Sequence, residues 1–284
     1  MQKLRVSHLT QYRFSSQVTL EPHLLRLRPR EGHDIRIIAS KLEITPAYQV
    51  RWYRDVYDNS TASVSFRKPA SQLSIFSEVT LEHYEDMPLD FVVADYAVNY
   101  PFQYLPEEKP DLLPYQQLSY PQDETVLRNW LSQSGFGQGT TETYVMLDAM
   151  CKRIAQSLNY TVREEFGVQT PAQTIGGGSG SCRDYATLFI EACRCLGLAC
   201  RFVSGYLHAP GTMPDHASTH AWAEVYLPGP GWKGFDPTIG ELTGNRHIPV
   251  AVARHPEAVP PVSGSFTGNV HTPEMTVKVE VTAI

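Results

Sequence analysis

Three residues have the types and the chain order that covalent amide chemistry requires: Cys182, His220 and Asp236. Such chemistry needs a thiolate nucleophile, an imidazole that takes and returns a proton, and an acceptor that fixes the imidazole tautomer. Cys182 lies in Gly180-Ser181-Cys182-Arg183-Asp184-Tyr185-Ala186. Small residues precede it and an amphipathic helical pattern follows. The thiol is therefore expected at a helix N-terminus, where unpaired backbone N–H groups and the macrodipole favour the thiolate. His220 opens the alternating run His220-Ala221-Trp222-Ala223-Glu224-Val225-Tyr226, and Asp236 closes Gly231-Trp232-Lys233-Gly234-Phe235 just before Pro237. If these runs pair as a hairpin across Pro228-Gly229-Pro230-Gly231, the carboxylate comes beside the histidine strand and can hold the ring by its second nitrogen. Singly, each residue has a blander reading: a buried thiol, a strand histidine, a turn aspartate. Their order and placement together favour the chemical one.

The elements that must position these residues fall into two regimes. The first reads as β: Leu4, Val6, His8 and Thr10 alternate with polar residues. Ile35, Ile37 and Ala39, then Leu42 and Ile44, form a strand whose change of phase predicts a bulge. Val50 to Tyr53, the turn cluster Asp58-Asn59-Ser60, the alternation Ala62, Val64, Phe66 and the run Leu73–Tyr84 complete an antiparallel sandwich over residues 1–86. From 87 to 121 a stretch rich in proline, tyrosine and phenylalanine reads as an extended connector that packs against both parts. Helical period starts near Asp123, resumes at Thr141–Tyr144 and again at Cys182, with Gly197 as the stop. Strands follow at Cys200–Leu207, His220–Leu227 and Trp232–Phe235, and Met275, Val277, Val279 and Val281 predict a last one. The fold class is α+β, with helices on an antiparallel sheet over residues 87–284.

Composition narrows the function. The chain has 284 residues, 42% hydrophobic, and a formal net charge of −6 with no basic block, which argues against a nucleic-acid partner. No apolar run approaches the roughly 20 residues of a membrane span, and the alternating N-terminus lacks a secretory h-region. Five cysteines, an odd number, read as reduced thiols in a cytoplasmic protein. Cys193, Cys195 and Cys200 lack the spacing of a structural zinc site and read as core thiols, so neither metal nor cofactor is expected. Asp184 reads as a first-turn capping residue. The run Gly176-Gly177-Gly178-Ser179-Gly180 lacks a P-loop ending and is expected to let backbone approach a substrate beside Cys182.

The blocks around Cys182, around His220 and from Gly231-Trp232 to Phe235-Asp236-Pro237-Thr238 resemble the three signature blocks of the transglutaminase-like superfamily. Arg201 to Tyr206 resembles its inter-block strand, and His8-Leu9-Thr10-Gln11-Tyr12-Arg13-Phe14 resembles the N-terminal region that accompanies this core in bacterial proteins. The resemblance implies a papain-like arrangement, with Cys182 as nucleophile, His220 as general base and acid, and Asp236 as orienting acid. It also implies a cysteine protease without a calcium requirement, acting on a peptide or protein amide. The backbone N–H of Cys182 is the natural first oxyanion donor, with Tyr160 and Gln173 as candidates for the second. Transfer of the acyl group to an amine, as in a transglutaminase, and a catalytically silent binding module are the competing expectations.

Overall fold

The computed structural model describes residues 1–163, 165, 167–209, 219–269 and 273–284. The chain opens with a strand of 19 residues, β1 (Gln2–Leu20), followed by β2 (His23–Leu25), β3 (Ile35–Thr45), β4 (Tyr48–Arg54), β5 (Ser60–Phe66) and β6 (Ala70–His83). Leu4, Val6, His8 and Thr10 are all buried, so the alternation read from sequence is the pleat of β1. In β3 the pairing with β6 shifts between Ile37 and Ala39, at the expected bulge. Phe14, Val18 and Ile75 from the sheet of β1, β6 and β3 meet Leu25, Ala62 and Val64 from the sheet of β2, β5 and β4. These side chains are the filling of a sandwich.

The connector is not wholly extended. It holds a two-residue strand, β7 (Asn99–Tyr100), and a helix, α1 (Lys109–Gln116), that carries Pro110 at its start and Pro114 inside. Pro110 falls where a helix needs no N–H donor, and eight residues are short enough to tolerate the bond that Pro114 removes. Leu112 is the anchor, buried with Tyr104 and Ala199. Glu191 and Arg194, an ion pair at 2.6 Å, tie the segment down. Glu191 accepts from the backbone of Ser119 and Tyr120, and Arg194 donates to the carbonyl of Tyr115.

The core follows as α2 (Glu124–Gln133), β8 (Thr141–Glu142), α3 (Thr143–Ser157), β9 (Asn159–Tyr160), α4 (Pro171–Gly177), β10 (Ser179–Gly180) and α5 (Cys182–Cys195). The sheet strands are β11 (Cys200–Leu207), β12 (Thr219–Leu227), β13 (Gly231–Asp236), β14 (Glu241–Leu242) and β15 (His247–Ala253), in the antiparallel order β14-β13-β12-β11-β15. Ala221, Ala223, Val225 and Leu227 of β12 face α5 through Tyr185, Phe189 and Ala192. The apolar stripe of α3 runs through Met146, Leu147, Met150, Cys151 and Ile154, while Val145 is exposed.

The chain ends in β16 (Val262–Ser263), β17 (Phe266–Thr267) and β18 (Glu274–Ala283). The expected boundary at residue 86 assigns this tail to the core. Instead β18 pairs with β1 from Leu4↔Ala283 to Arg13↔Glu274, and β16 and β17 pair with β2 and β1. The tail covers the free edge of β1 that a sandwich built from residues 1–86 alone would expose. Leu4, Val6, Leu81 and Val281 of this sheet pack on Tyr206, Ile248 and Val250, so the sandwich covers the face of the core sheet away from α5. No described helix is long and apolar enough to cross a membrane.

Candidate active site

Cys182 is the first residue of α5, partly exposed, and Ser181 before it has extended backbone. The thiol therefore sits at a 14-residue helix N-terminus, as the small-residue run predicted. Asp184 fixes this entry. One oxygen accepts from Ser181 N and Ser181 Oγ at 2.8 and 2.7 Å, and the other from Gln169 N at 2.7 Å and Arg163 at 2.8 Å. Wholly buried, it joins three segments around the turn before Cys182. It is the capping residue expected from its position, with a wider reach than the first turn.

The glycine run has structural roles of its own. Gly176 and Gly177 belong to α4, and Gly178 ends it in the left-handed region at φ 61°. At Gly180 a Cβ would stand 2.9 Å from the Asp184 Cβ. The run therefore ends one helix and lets the next close on Asp184.

His220, near the start of β12, and Asp236, the last residue of β13, come together across the expected hairpin: His220 Nε2 lies 2.6 Å from Asp236 Oδ2. Thr238 N donates to the other carboxylate oxygen at 2.9 Å. With Nε2 held by Asp236, Nδ1 is the nitrogen left to face Cys182, whose thiol is near enough to favour a charge on the ring. Burial opposes a charge on His220, but the adjacent carboxylate and the thiol outweigh it and push its pKa up to about 10. Burial opposes the Asp236 charge too, and the two imidazoles hold its pKa well below the usual carboxylate range. The second imidazole is His247, the first residue of β15, with Nε2 3.1 Å from the same Oδ2. Sequence reasoning missed it. Arg246-His247-Ile248-Pro249 carries no motif, and the contact arises only because the chain crosses from β14 at one sheet edge to β15 at the other within residues 243–246.

Two family models match, described as the bacterial transglutaminase-like N-terminal region (residues 4–82) and the transglutaminase-like superfamily (residues 133–237). The chain belongs to the transglutaminase-like superfamily. An uncharacterized protein of Mycobacterium tuberculosis is 29% identical, the match covering 98% of this chain and 92% of that one. One from Mycobacterium leprae is 24% identical over the full length of both. The crystal structure of a candidate cysteine protease from Cytophaga hutchinsonii shares the fold over 100% of this chain and 91% of that one, with a TM-score of 0.77 at 18% identity.

Within this transglutaminase-like core, the two oxyanion candidates separate. Gln173 is an exposed capping residue whose side chain accepts from Thr170 N at 2.9 Å, so it serves the start of α4. Tyr160 is half-exposed on β9, and β9 pairs with β10 so that Tyr160 stands opposite Gly180, two residues before Cys182. Burial, then the nearby Cys182, pushes its phenol up to about 12, so it is a proton donor at neutral pH. The other thiols differ from Cys182 in setting. Burial pushes Cys151 and Cys193 far up and Cys195 to about 11.

His220, Asp236 and His247 bring three donor atoms within 4.8 Å of one another. Both rings, however, aim Nε2 at one carboxylate oxygen, and Gly244 N donates to His247 Nδ1 at 3.3 Å, which leaves the proton of that ring on Nε2. The cluster is hydrogen-bonded within itself and is a poor ligand set.

The Asp184 hub gives a first expected result. Asp184→Asn leaves one carbonyl oxygen for donors that now use two and removes the ion pair with Arg163. The melting temperature should fall by about 5 °C, corresponding to about 2 kcal/mol. An unchanged melting temperature would show that the segments before α5 hold without the carboxylate.

Proposed function

We propose that Cys182, His220 and Asp236 form the catalytic triad of a cysteine-dependent amide hydrolase acting on a peptide or protein. The observation that carries this reading is one imidazole with a buried carboxylate at 2.6 Å on Nε2 and, close beside the ring, the thiol of a helix N-terminus. In the proposed reaction His220 takes the thiol proton, Cys182 Sγ attacks the carbonyl carbon and the helix N-terminus faces the developing oxyanion. His220 protonates the leaving amine, which departs and leaves a thioester. Water then attacks the thioester, His220 takes its proton, and the acid is released as Cys182 regains its thiol. Asp236 holds the ring tautomer and the positive charge that appears on it. Tyr160, a phenol near Cys182, is the preferred second oxyanion donor. Five unpaired thiols fit a reducing, cytoplasmic setting.

Iodoacetamide with peptide mapping tests the nucleophile. At pH 7 Cys182 should be labelled at least tenfold faster than the other four cysteines, three of which burial keeps protonated. Uniform labelling would reject the reading. With a peptide library, release of amine without incorporation of a labelled primary amine identifies hydrolysis, and incorporation identifies acyl transfer.

A further inference from the structure

We propose that His247 is a positioning residue for this site, acting on His220 through Asp236. The inference rests on the triad reading above and adds a fourth member to it. His247 is 3% exposed and its ring meets the edge of Trp222 at 5.2 Å between centroids. Its tautomer is set by its neighbours: Nδ1 accepts from Gly244 N at 3.3 Å, so Nε2 carries the hydrogen and donates to Asp236 Oδ2 at 3.1 Å. Its main chain is held as well. His247 N donates to Gly244 O at 2.9 Å, and His247 O accepts from His83 Nε2 at 3.0 Å. His83 is likewise fixed, because Glu85 N donates to its Nδ1 at 3.3 Å. His83 is the last residue of β6, so the N-terminal sandwich braces the residue that braces the carboxylate.

The consequence lies in the carboxylate's orientation. Asp236 is wholly buried and could rotate about its Cβ–Cγ bond. Thr238 N holds Oδ1 at 2.9 Å and His247 holds Oδ2, so rotation would break both bonds at once. Oδ2 therefore stays aimed at His220 Nε2 while His220 gains and loses its proton. Arg246, in the turn just before β15, is half-exposed and paired with Glu241 at 2.6 Å, which leaves His247 as the donor that shares the oxygen with His220.

The test uses the full chain and reads the rate of iodoacetamide alkylation at Cys182 from pH 4 to 10, with melting temperatures alongside. His247→Gln places an amide N–H where Nε2 was and should stay within threefold of the wild type. His247→Leu removes the donor and should lose at least tenfold at pH 7, with the half-plateau pH rising by about one unit, the equivalent of tenfold. His247→Asn is polar but ends near the Nδ1 position, short of Asp236, and should behave like leucine; it carries the test should the leucine variant fail to fold. Wild-type profiles in folded His247→Leu or His247→Asn would overturn the proposal and leave the triad standing. A wild type whose Cys182 shows no accelerated alkylation would overturn the triad reading itself.

Discussion

Asp236→Asn is expected to lower turnover by roughly 10³- to 10⁴-fold, the scale found when the carboxylate of a catalytic triad is neutralised. Asparagine offers one acceptor where the site uses two oxygens. With its carbonyl toward His220 and His247, the NH₂ group meets Thr238 N, which now donates at 2.9 Å, and two donors face each other. Turned over, the NH₂ group meets both imidazoles and forces His220 to carry its proton on Nδ1, toward the thiol it must deprotonate. Charge is lost in either case. Burial pushes the His220 pKa down, and the carboxylate is the main cause that brings it up to about 10. The same loss has a signature in stability. A histidine whose folded pKa lies above its unfolded value of about 6.5 contributes fully below pH 6.5, and that contribution fades as pH rises toward 10. Asp236, depressed in the folded state, contributes above about pH 3.8 and loses its part only as pH falls below that. The wild type should thus lose melting temperature between pH 6.5 and 10, and the asparagine variant should be flatter there. Turnover of an amide substrate, or alkylation of Cys182 where no substrate is yet in hand, measures the first effect. A variant with wild-type rates would remove Asp236 from the mechanism.

What was legible in the sequence was what local pattern encodes. Alternation placed β1, β5, β12 and β18, and the phase change after Ile37 placed the bulge in β3. Small residues before Cys182 and the period after it placed α5, because a helix start has a local chemistry of its own. The hairpin from β12 to β13 brought His220 and Asp236 together because its turn, Pro228-Gly229-Pro230-Gly231, is short and explicit. Other features depend on contacts between distant residues. Helix α1 forms around two prolines because Leu112 buries against Tyr104 and Ala199, a tertiary gain that overrides propensity. The tail β18 pairs with β1, some 270 residues away in sequence, and alternation gives a strand without naming its partner. His247 reaches Asp236 through a crossing from one sheet edge to the other, which leaves no periodic trace. The glycine run was ambiguous in sequence because glycine permits substrate approach, helix ends and tight packing alike, and at Gly180 the packing reason comes from Asp184, a contact that no local pattern encodes.

Gly205→Ala should be the most damaging single methyl in the core, costing about 3 kcal/mol or more and lowering the melting temperature by at least about 6 °C. Gly205 lies on β11 opposite His220 of β12 on one side and Pro249 of β15 on the other, where the β11–β15 register shifts. An added Cβ would stand 2.3 Å from the carbonyl oxygen of Ile248 and 2.5 Å from Cη2 of Trp222. The first contact is backbone held in a sheet, and the second is the rim of a ring that is 1% exposed, so neither yields by a rotamer change. Relief must come from moving β15 or Trp222. Ile248 follows His247 directly, and Trp222 packs on both His247 and His220, so either movement reaches the site. Alkylation of Cys182 should therefore slow at temperatures where the variant is still folded. Adding Trp222→Phe removes the two ring atoms but leaves the carbonyl contact, and so should fail to restore stability. Gly177→Ala is the control: it lies in α4 with nothing within 4 Å of the new methyl, and alanine there should be neutral or mildly stabilising. Equal melting temperatures for Gly205→Ala and Gly177→Ala would mean that β15 can retreat freely, and His247 would then have no fixed support from which to orient Asp236.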